Sequence, residues 1–241
     1  MEGAGRLAGR IVLITGASRG LGAAVARACA AEGAKLVLAA RTGGALEELD
    51  DACRAAGGPE PTLVVLDLTK GELVDALGRS LFERFGRLDG LVACAAELGT
   101  ITPVSHLEPR TFERILAVNL VANHRLIRSL DPLLRAAPAA RAVFVTDGGV
   151  GPGRAYWGGY AATKAALEAM VLAYAAELRL TPVGVNLFDP GPMATRLRAQ
   201  ANPGERDGAV PKPAALAPAV IELLLPDCPR RGEIVRHRQS A

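Results

Sequence analysis

Two residues one helical turn apart, Tyr160 and Lys164, have the types and spacing that suit proton transfer. They open an alanine- and leucine-rich run over residues 160–178 that is predicted to be a helix, and residues i and i+4 share one helix face. A free phenol titrates near about 10, so it is a poor base at neutral pH unless a nearby cation favours the phenolate. Lys164 could be that cation. The same spacing also arises by chance in many helices, so the rest of the chain must decide.

Size and composition indicate what kind of protein holds this pair. The chain has 241 residues, 50% hydrophobic and 22% charged, which predicts a soluble globular protein with one large core. A net charge of +3 gives no reason to expect a nucleic-acid partner. No apolar run approaches the about 18 residues of a membrane span, and the N-terminus lacks the apolar core of a secretory signal. The cysteines have no metal-ligand spacing, so no metal site is predicted, and free thiols favour a reducing, cytoplasmic location.

Short apolar runs alternate with helical segments along the whole chain. Strands are predicted over residues 10–15, 35–40, 62–66, 88–95, 141–146, 184–188 and 232–235. Helices are predicted over residues 23–32, 44–56, 71–85, 111–134, 160–178 and 214–225. Such alternation indicates right-handed crossovers and a three-layer, doubly wound α/β fold, with a parallel sheet of about seven strands and helices on both faces. No shift in composition marks a boundary, so residues 1–241 are predicted to form a single domain.

A glycine-rich turn joins the first strand to the first helix. Gly16, Gly20 and Gly22 follow Thr15, with a longer first gap than in the G-x-G-x-x-G of other dinucleotide folds. Glycine permits the tight turn and a close approach of the backbone to a pyrophosphate, and the helix N-terminus presents unpaired N–H groups. An ordinary turn with incidental glycines is the plainer interpretation, but the strand–turn–helix context favours a phosphate site.

The end of the second strand predicts which cofactor binds. An acidic residue there would hydrogen-bond a ribose 2′-hydroxyl and favour NAD(H), but this chain has Arg41. Arg41, with Arg19 in the glycine turn, could hold a 2′-phosphate through charge-assisted hydrogen bonds, although both could also be merely exposed. NADP(H) is therefore predicted in preference to NAD(H). Asp67, after the third strand, could accept a hydrogen bond from the adenine amino group.

From about residue 7 to residue 235 the chain resembles the short-chain dehydrogenase/reductase family. The markers are the glycine turn, Asp67-Leu68, Asn119, Tyr160-x-x-x-Lys164 and Pro190-Gly191-x-x-x-Thr195. Residues 154–160 are also similar to a group of bacterial NADP-dependent oxidoreductases of undefined substrate. The resemblance implies a Rossmann fold and an oxidoreductase that interconverts a carbonyl and a secondary alcohol by hydride transfer.

The resemblance also implies roles for single residues. Tyr160 would be the general acid/base, and Lys164 would lower its pKa and bind the ribose of the nicotinamide half. Asn119 would hold a water in the proton relay, although by itself it could equally be a helix-surface amide or a cap to a neighbouring loop. The residues expected to contact the cofactor are Gly16, Ser18, Arg19, Gly20, Leu21, Gly22, Arg41, Asp67, Leu68, Ala95, Lys164, Pro190, Gly191 and Thr195.

The chain departs from the family where a serine normally ends the fifth strand, because Asp147 stands there instead. An ionised Asp147 has no proton to donate and would raise the pKa of the Tyr160 phenol. Thr146 could supply the hydroxyl if the strand end slips by one residue. Asp147 could instead be held protonated and donate as a neutral acid. As a further alternative, the site is weak or inactive, and the protein binds the cofactor without catalysis.

A second departure follows the fourth strand. The family usually has Asn-Asn-Ala-Gly there, whereas this chain has Ala-Cys-Ala-Ala over residues 93–96. The missing amides remove hydrogen bonds, and Ala96 adds a Cβ where the family brings the backbone close to the ribose. Cys94 is expected to be a small core residue, since no nearby charge would lower its pKa. Cofactor affinity is the property that these changes affect.

The substrate segment is expected to be a loop over residues 196–213. Arg196 and Arg198 near its start could admit an anionic substrate, but exposed arginines are an equally plain explanation. The family usually pairs the helices predicted over residues 111–134 and 160–178 between subunits, so a homodimer or homotetramer is expected.

Overall fold

The computed structural model describes residues 5–151 and 153–237. Its strands are β1 (Ile11–Thr15), β2 (Lys35–Ala40), β3 (Thr62–Val65), β4 (Gly90–Ala93), β5 (Arg141–Val145), β6 (Gly184–Asp189) and β7 (Ile234–Arg236). Its α-helices are α1 (Gly20–Ala31), α2 (Gly43–Ala55), α3 (Gly71–Phe85), α4 (Pro109–Leu116), α5 (Ala122–Ala136), α6 (Gly158–Glu177), α7 (Arg196–Ala201) and α8 (Ala217–Leu224). The predicted domain also includes residues 1–4, 152 and 238–241, which lie outside the described part.

The strands form one parallel sheet in the order β3-β2-β1-β4-β5-β6-β7. The chain moves outward from β1 to β3 and then returns to place β4 on the other side of β1. The strand order therefore reverses between β1 and β4, and ligands of open α/β sheets bind at such a point, outside the carboxyl ends of the strands.

Helices cover both faces of the sheet because each central strand is apolar on both sides. Along β1, Val12 and Ile14 belong to the core beneath α1, α2 and α8, whereas Ile11 and Leu13 belong to the core beneath α3, α5 and α6. Successive strand residues point to opposite faces, which accounts for this division. The predicted three-layer, doubly wound fold with about seven parallel strands is confirmed.

The largest departure from the predicted elements is in the helix expected over residues 111–134. It begins at Pro109, a residue that suits the first helical turn, and it is interrupted by a π-helical segment, Ala117–Val121, between α4 and α5. The other departure is in the segment expected to be a loop over residues 196–213, which in fact contains α7. Thr195 caps that helix, since its Oγ1 accepts a hydrogen bond from the Arg198 amide at 3.1 Å.

Within the two described ranges, no helix combines the length and the apolar character that crossing a membrane would require.

Candidate active site

A cavity of about 850 Å³ lies at the carboxyl edge of the sheet, where the strand order reverses. Its walls come from the glycine turn, from the ends of β2 to β6 and from the N-terminal part of α6. That size is typical of a site for a small molecule or cofactor.

Tyr160 and Lys164 reach this cavity from the first turns of α6. Both are buried, with 5% and 4% of their surface exposed, and the Lys164 Nζ lies 5.7 Å from the centre of the Tyr160 ring. The ammonium also donates to the backbone oxygen of Val145 at 2.9 Å, which fixes it at the end of β5. The structure thus brings the predicted pair together on one helix face.

The electrostatics of the pair differ from the expectation. Burial lowers the pKa of Lys164 to about 8, although Asp147 opposes this. Burial also raises the pKa of the Tyr160 phenol, and the charge of Asp147 and its hydrogen bond with the phenol raise it further. The net shift of the Tyr160 pKa is therefore upward, opposite to the lowering expected from Lys164 alone. The expected opposing effect of Asp147 is present.

Thr146 and Asp147 follow β5 directly, and their side chains have different partners. The Thr146 amide donates to the Phe188 oxygen at 2.9 Å, so the register with β6 continues without a slip. The Thr146 hydroxyl donates to Oε1 of Glu168 at 2.6 Å, whereas the Asp147 carboxyl interacts with the Tyr160 phenol. Neighbouring residues of an extended strand point to opposite sides. The slip that the Thr146 interpretation requires is therefore absent, and Asp147 is the residue that interacts with the phenol, although both residues line the cavity. Which of them acts as the donor stays a prediction.

A second buried carboxylate, Asp189 at the end of β6, was not predicted from the sequence. It is 6% exposed and accepts a hydrogen bond from the Gly191 amide at 3.0 Å. Its charge raises the pKa of both Asp147 and Tyr160. The available signal was its position, because an acidic residue at the carboxyl end of a parallel strand lies at the ligand-binding edge.

Asn119 lies behind the cavity wall rather than in it. Its Oδ1 accepts from the Glu97 amide at 2.9 Å, and its Nδ2 donates to the Glu97 oxygen at 2.9 Å and to Thr163 Oγ1 at 3.0 Å. The side chain is fully buried and its amide groups are engaged with protein atoms. The side-chain amide therefore caps a neighbouring loop, as one of the alternatives expected. The role of Asn119 in holding a relay water stays a prediction.

The backbone of the glycine turn packs closely against neighbouring backbone, with no space for side chains at Gly16 or Gly22. A Cβ added at Gly16 would lie 2.7 Å from the Cα of Ala95, and Gly16 has a φ of 65°. A Cβ at Gly22 would collide with the carbonyl oxygen of Gly16. Side chains at either position would disrupt the turn, so the turn fits a diphosphate bound against the backbone at the start of α1.

Arg41 lies at the end of β2, as predicted, but its guanidinium is already paired. Its Nη1 donates to Oε1 of Glu97 at 2.8 Å, and Glu97 is bonded on its other side to Arg114. Asp67 lies on the same wall, where its Oδ1 accepts from the amide and the hydroxyl of Thr69. The remaining predicted cofactor residues also line the cavity: Ser18, Arg19, Gly20, Leu21, Leu68, Ala95, Pro190, Gly191 and Thr195.

The wall beside the phenol is apolar. Leu98, Val150 and Trp157 pack with Tyr160 in a cluster separate from the two cores of the sheet, and Leu197 of α7 packs against it. The Trp157 and Tyr160 rings meet edge to face, with centres 6.1 Å apart. The Arg154 guanidinium stacks on the Trp157 ring at 4.3 Å. Leu98, Val150, Arg154 and Trp157 were not predicted as site residues, because they lie in loops that the sequence pattern does not place, whereas Leu197 lies in the expected substrate segment.

Comparison with known proteins agrees with the fold. The family model for short chain dehydrogenases matches residues 10–206. The chain is 33% identical over 224 residues to the uncharacterized oxidoreductase YciK of Escherichia coli (strain K12), covering 92% of this chain and 88% of the relative. It is 32% identical to the L-fucose dehydrogenase of Oryctolagus cuniculus, over 82% of this chain and 67% of that protein.

Solved structures of related proteins have the same fold as this chain. One from Pseudomonas syringae has a TM-score of 0.93 and 37% identity, covering 98% of this chain and 97% of that one. Another, from Escherichia coli CFT073 and complexed with NADPH, has a TM-score of 0.92 and 31% identity, covering 97% and 98% of the two chains. Fold and site together define a dinucleotide-dependent oxidoreductase acting on an alcohol/carbonyl pair. More narrowly, the chain belongs to the short-chain dehydrogenase/reductase family.

Proposed function

We propose that this protein is an NADP(H)-dependent reductase that converts a ketone or aldehyde to the alcohol, with Tyr160 as the proton donor. The observation that carries the proposal is the buried phenol at the cavity wall, beside both the Lys164 ammonium and the Asp147 carboxyl. Bound NADPH would supply the hydride.

The cofactor assignment rests on the glycine turn and on Arg41. The turn would hold the diphosphate through backbone N–H groups, and Arg41 would bind the 2′-phosphate. Lys164 is placed to bind the ribose hydroxyls of the nicotinamide half, and Pro190, Gly191 and Thr195 line the corresponding end of the cavity. The NADPH bound to the related Escherichia coli CFT073 structure supports this cofactor.

In the direction of reduction, the proton transfer starts from the neutral phenol. Because the pKa of the phenol is raised, Tyr160 stays protonated at neutral pH and can give its proton to the carbonyl oxygen as that oxygen becomes negative. Oxidation of an alcohol would use the same proton transfer in reverse, starting from the phenolate. The Lys164 ammonium would stabilise the phenolate left after each reduction until a proton returns to it.

Asp147 would act as a neutral acid in place of the family's serine. Burial raises its pKa, and the charge of Asp189 raises it further, although Lys164 lowers it. In the protonated form it has one O–H donor that can bond to the substrate oxygen. An ionised carboxylate could only accept a hydrogen bond, so the protonated form is the one that can donate to the substrate while the phenol keeps its own proton.

The apolar wall indicates the kind of carbonyl compound that fits. Leu98, Val150, Trp157 and Leu197 offer no hydrogen-bond partner to a sugar hydroxyl other than the indole N–H of Trp157. Burying an unpaired hydroxyl there would be unfavourable. An aromatic or branched aliphatic ketone or aldehyde is therefore a better substrate than a polyol.

A second candidate function is cofactor binding without catalysis, because Asp147 stands where the family has a serine and its charge raises the phenol pKa. Purified protein with NADPH and a panel of apolar ketones and aldehydes separates the two. Turnover that is lost in Tyr160→Phe, with NADPH binding retained, supports the reductase. NADPH binding without turnover across the panel favours the second function.

We also propose that the chain forms one domain and assembles with copies of itself. The sheet continues unbroken from β3 to β7, and the segment joining α4 to α5 presents Val121 with 45% of its surface exposed. Sedimentation of the purified protein tests the homodimer or homotetramer that the family resemblance leads us to expect.

A further inference from the structure

Glu97 lies where two walls of the cavity meet, just after the short strand β4. Its side chain is 20% exposed and lines the cavity together with Arg41, Asp67 and Arg114. Arg41 and Asp67 follow β2 and β3, so this is the end of the cavity where the adenosine half of a cofactor would lie under the proposed function. The Glu97 carboxylate would therefore lie near the 2′-phosphate of a bound NADP(H), because it bonds to Arg41.

The backbone of Glu97 is fixed in place. Asn119, which is fully buried, bonds to both the amide and the carbonyl of Glu97 at 2.9 Å. The same Asn119 amide donates to Thr163 of α6 at 3.0 Å, so Glu97 is tied to the framework of the fold. Only the side chain of Glu97 is therefore left to rearrange when a ligand enters.

The carboxylate of Glu97 joins two arginines. Arg114 binds it with both ends of its guanidinium fork, Nε to Oε2 at 2.7 Å and Nη2 to Oε1 at 2.9 Å. Arg41 donates its Nη1 to the same Oε1 at 2.8 Å. Arg114 makes the two-point contact, which is the stronger geometry, and Arg41 makes a single contact. The Arg41 contact is therefore the easier one to give up.

The charges in this corner balance. The guanidinium groups of Arg41 and Arg114 help to lower the pKa of the neighbouring Asp67, after the larger effect of its hydrogen bonds from Thr69, so that carboxylate shares their field with Glu97. The charges of these two arginines and two carboxylates cancel, so the four together add no net positive charge to that of Arg19, which also lines the cavity, for an incoming phosphate monoester that carries about −1.5 to −2 near neutral pH. The binding of an uncharged ribose 2′-hydroxyl would depend much less on the net charge of these side chains.

We propose that Glu97 is a specificity-determining residue that weakens the preference for a 2′-phosphorylated cofactor by competing for Arg41. Arg114 is a positioning residue that retains the Glu97 carboxylate when Arg41 turns to the phosphate. This inference rests on the proposed use of NADP(H) and of Arg41 as its phosphate ligand.

Binding measurements test the inference without any need for turnover. Dissociation constants of NADPH and NADH, and of adenosine 2′,5′-bisphosphate and adenosine 5′-phosphate, are measured by calorimetry for the wild-type protein and for Glu97→Gln. We expect Glu97→Gln to bind the two 2′-phosphorylated ligands about tenfold more tightly and the other two within about twofold. Glu32→Gln is the matched control, since it makes the same charge change in a carboxylate paired with Arg6, a residue that does not line the cavity.

Two further variants keep the test decisive. Arg114→Gln should weaken the binding of the 2′-phosphorylated ligands relative to the others, because Glu97 then has only Arg41 as a partner. Arg41→Gln should remove the discrimination between the two ligand pairs. If Arg41→Gln has no such effect, the cofactor assignment fails. If Arg41→Gln has it but Glu97→Gln tightens all four ligands equally, or weakens the 2′-phosphorylated pair, the role of Glu97 is overturned.

Discussion

The hydroxyl of Thr146, at the cavity wall, donates to the carboxylate of Glu168 across 2.6 Å. Asp147, the next residue, interacts with the Tyr160 phenol instead. The two positions therefore have separate tasks although they are adjacent in sequence. One secures the end of β5 to α6, and the other interacts with the proposed proton donor.

This separation predicts opposite effects for substitutions at the two positions. Asp147→Ala should lower kcat for ketone reduction by about 10²-fold, the usual size of the loss of one proton donor. Thr146→Val should change kcat by no more than a few-fold and should instead cost about 1 kcal/mol in the free energy of unfolding, through the lost hydrogen bond. Steady-state kinetics and urea unfolding measure the two effects. The reverse ranking in kcat would show that Thr146 is the donor.

The rate of reduction should fall with rising pH. The pKa of Asp147 is raised, so its neutral form persists to higher pH than that of an ordinary carboxyl and is lost as the pH passes the raised value. Asp147→Ser restores a hydroxyl that does not titrate in this range. Its kcat profile should therefore lack the decline due to Asp147 and should fall only as Lys164 loses its proton, at a pH below the wild-type pKa of about 8 because Asp147 no longer raises that value. A profile for Asp147→Ser that falls together with that of the wild-type protein would remove the neutral-acid role.

The fold was predictable because its signals are local. Apolar strands and helices alternate, glycines stand at the first turn, and Tyr160 and Lys164 are spaced by one helical turn. What could not be predicted depends on side chains that are distant in sequence. Neither the Asn119 clamp on Glu97 nor the effect of Asp189 on the phenol has a local pattern.

The sequence left the alternatives of Thr146 and Asp147 open for a different reason. The two interpretations differ by one residue of register, and a shift of one residue exchanges the faces of a strand. Composition cannot resolve such a shift. The hydrogen bond from the Thr146 amide to Phe188 does resolve it, because it continues the ladder between β5 and β6.

The buried ammonium of Lys164 should make the free energy of unfolding depend on pH. Its pKa falls from 10.5 to about 8, so between these values the unfolded chain binds a proton that the folded chain does not. The free energy of unfolding should therefore gain a rising contribution with pH across that window. Lys164→Met should lose this contribution, whereas Lys35→Met, at an exposed position on β2, should keep it. Urea unfolding at several pH values measures the difference, and an unchanged slope in Lys164→Met would contradict the burial argument.

The apolar wall makes a prediction about substrate choice. Trp157 is 8% exposed and packs edge to face on Tyr160, so Trp157→Ala removes both substrate contact and support for the phenol. We expect kcat/KM for an aromatic ketone to fall about 10²-fold and that for acetone to fall much less, since acetone is too small to use the wall. Tyr156→Ala is the control, because that ring is 59% exposed. Equal losses for both ketones would place Trp157 outside the substrate site.

The packing of the glycine turn gives the most direct test of cofactor binding. A methyl group at Gly22 would collide with the carbonyl oxygen of Gly16 and force the turn open, whereas one at Gly44 in α2 would meet no atom within 4 Å. Gly22→Ala should therefore weaken NADPH binding by at least about tenfold and lower the melting temperature. Gly44→Ala should leave binding unchanged and could gain up to about 1 kcal/mol from the better helix propensity of alanine. Calorimetric titration with NADPH separates the two variants. Wild-type affinity in a folded Gly22→Ala protein would show that the cofactor does not lie against this turn.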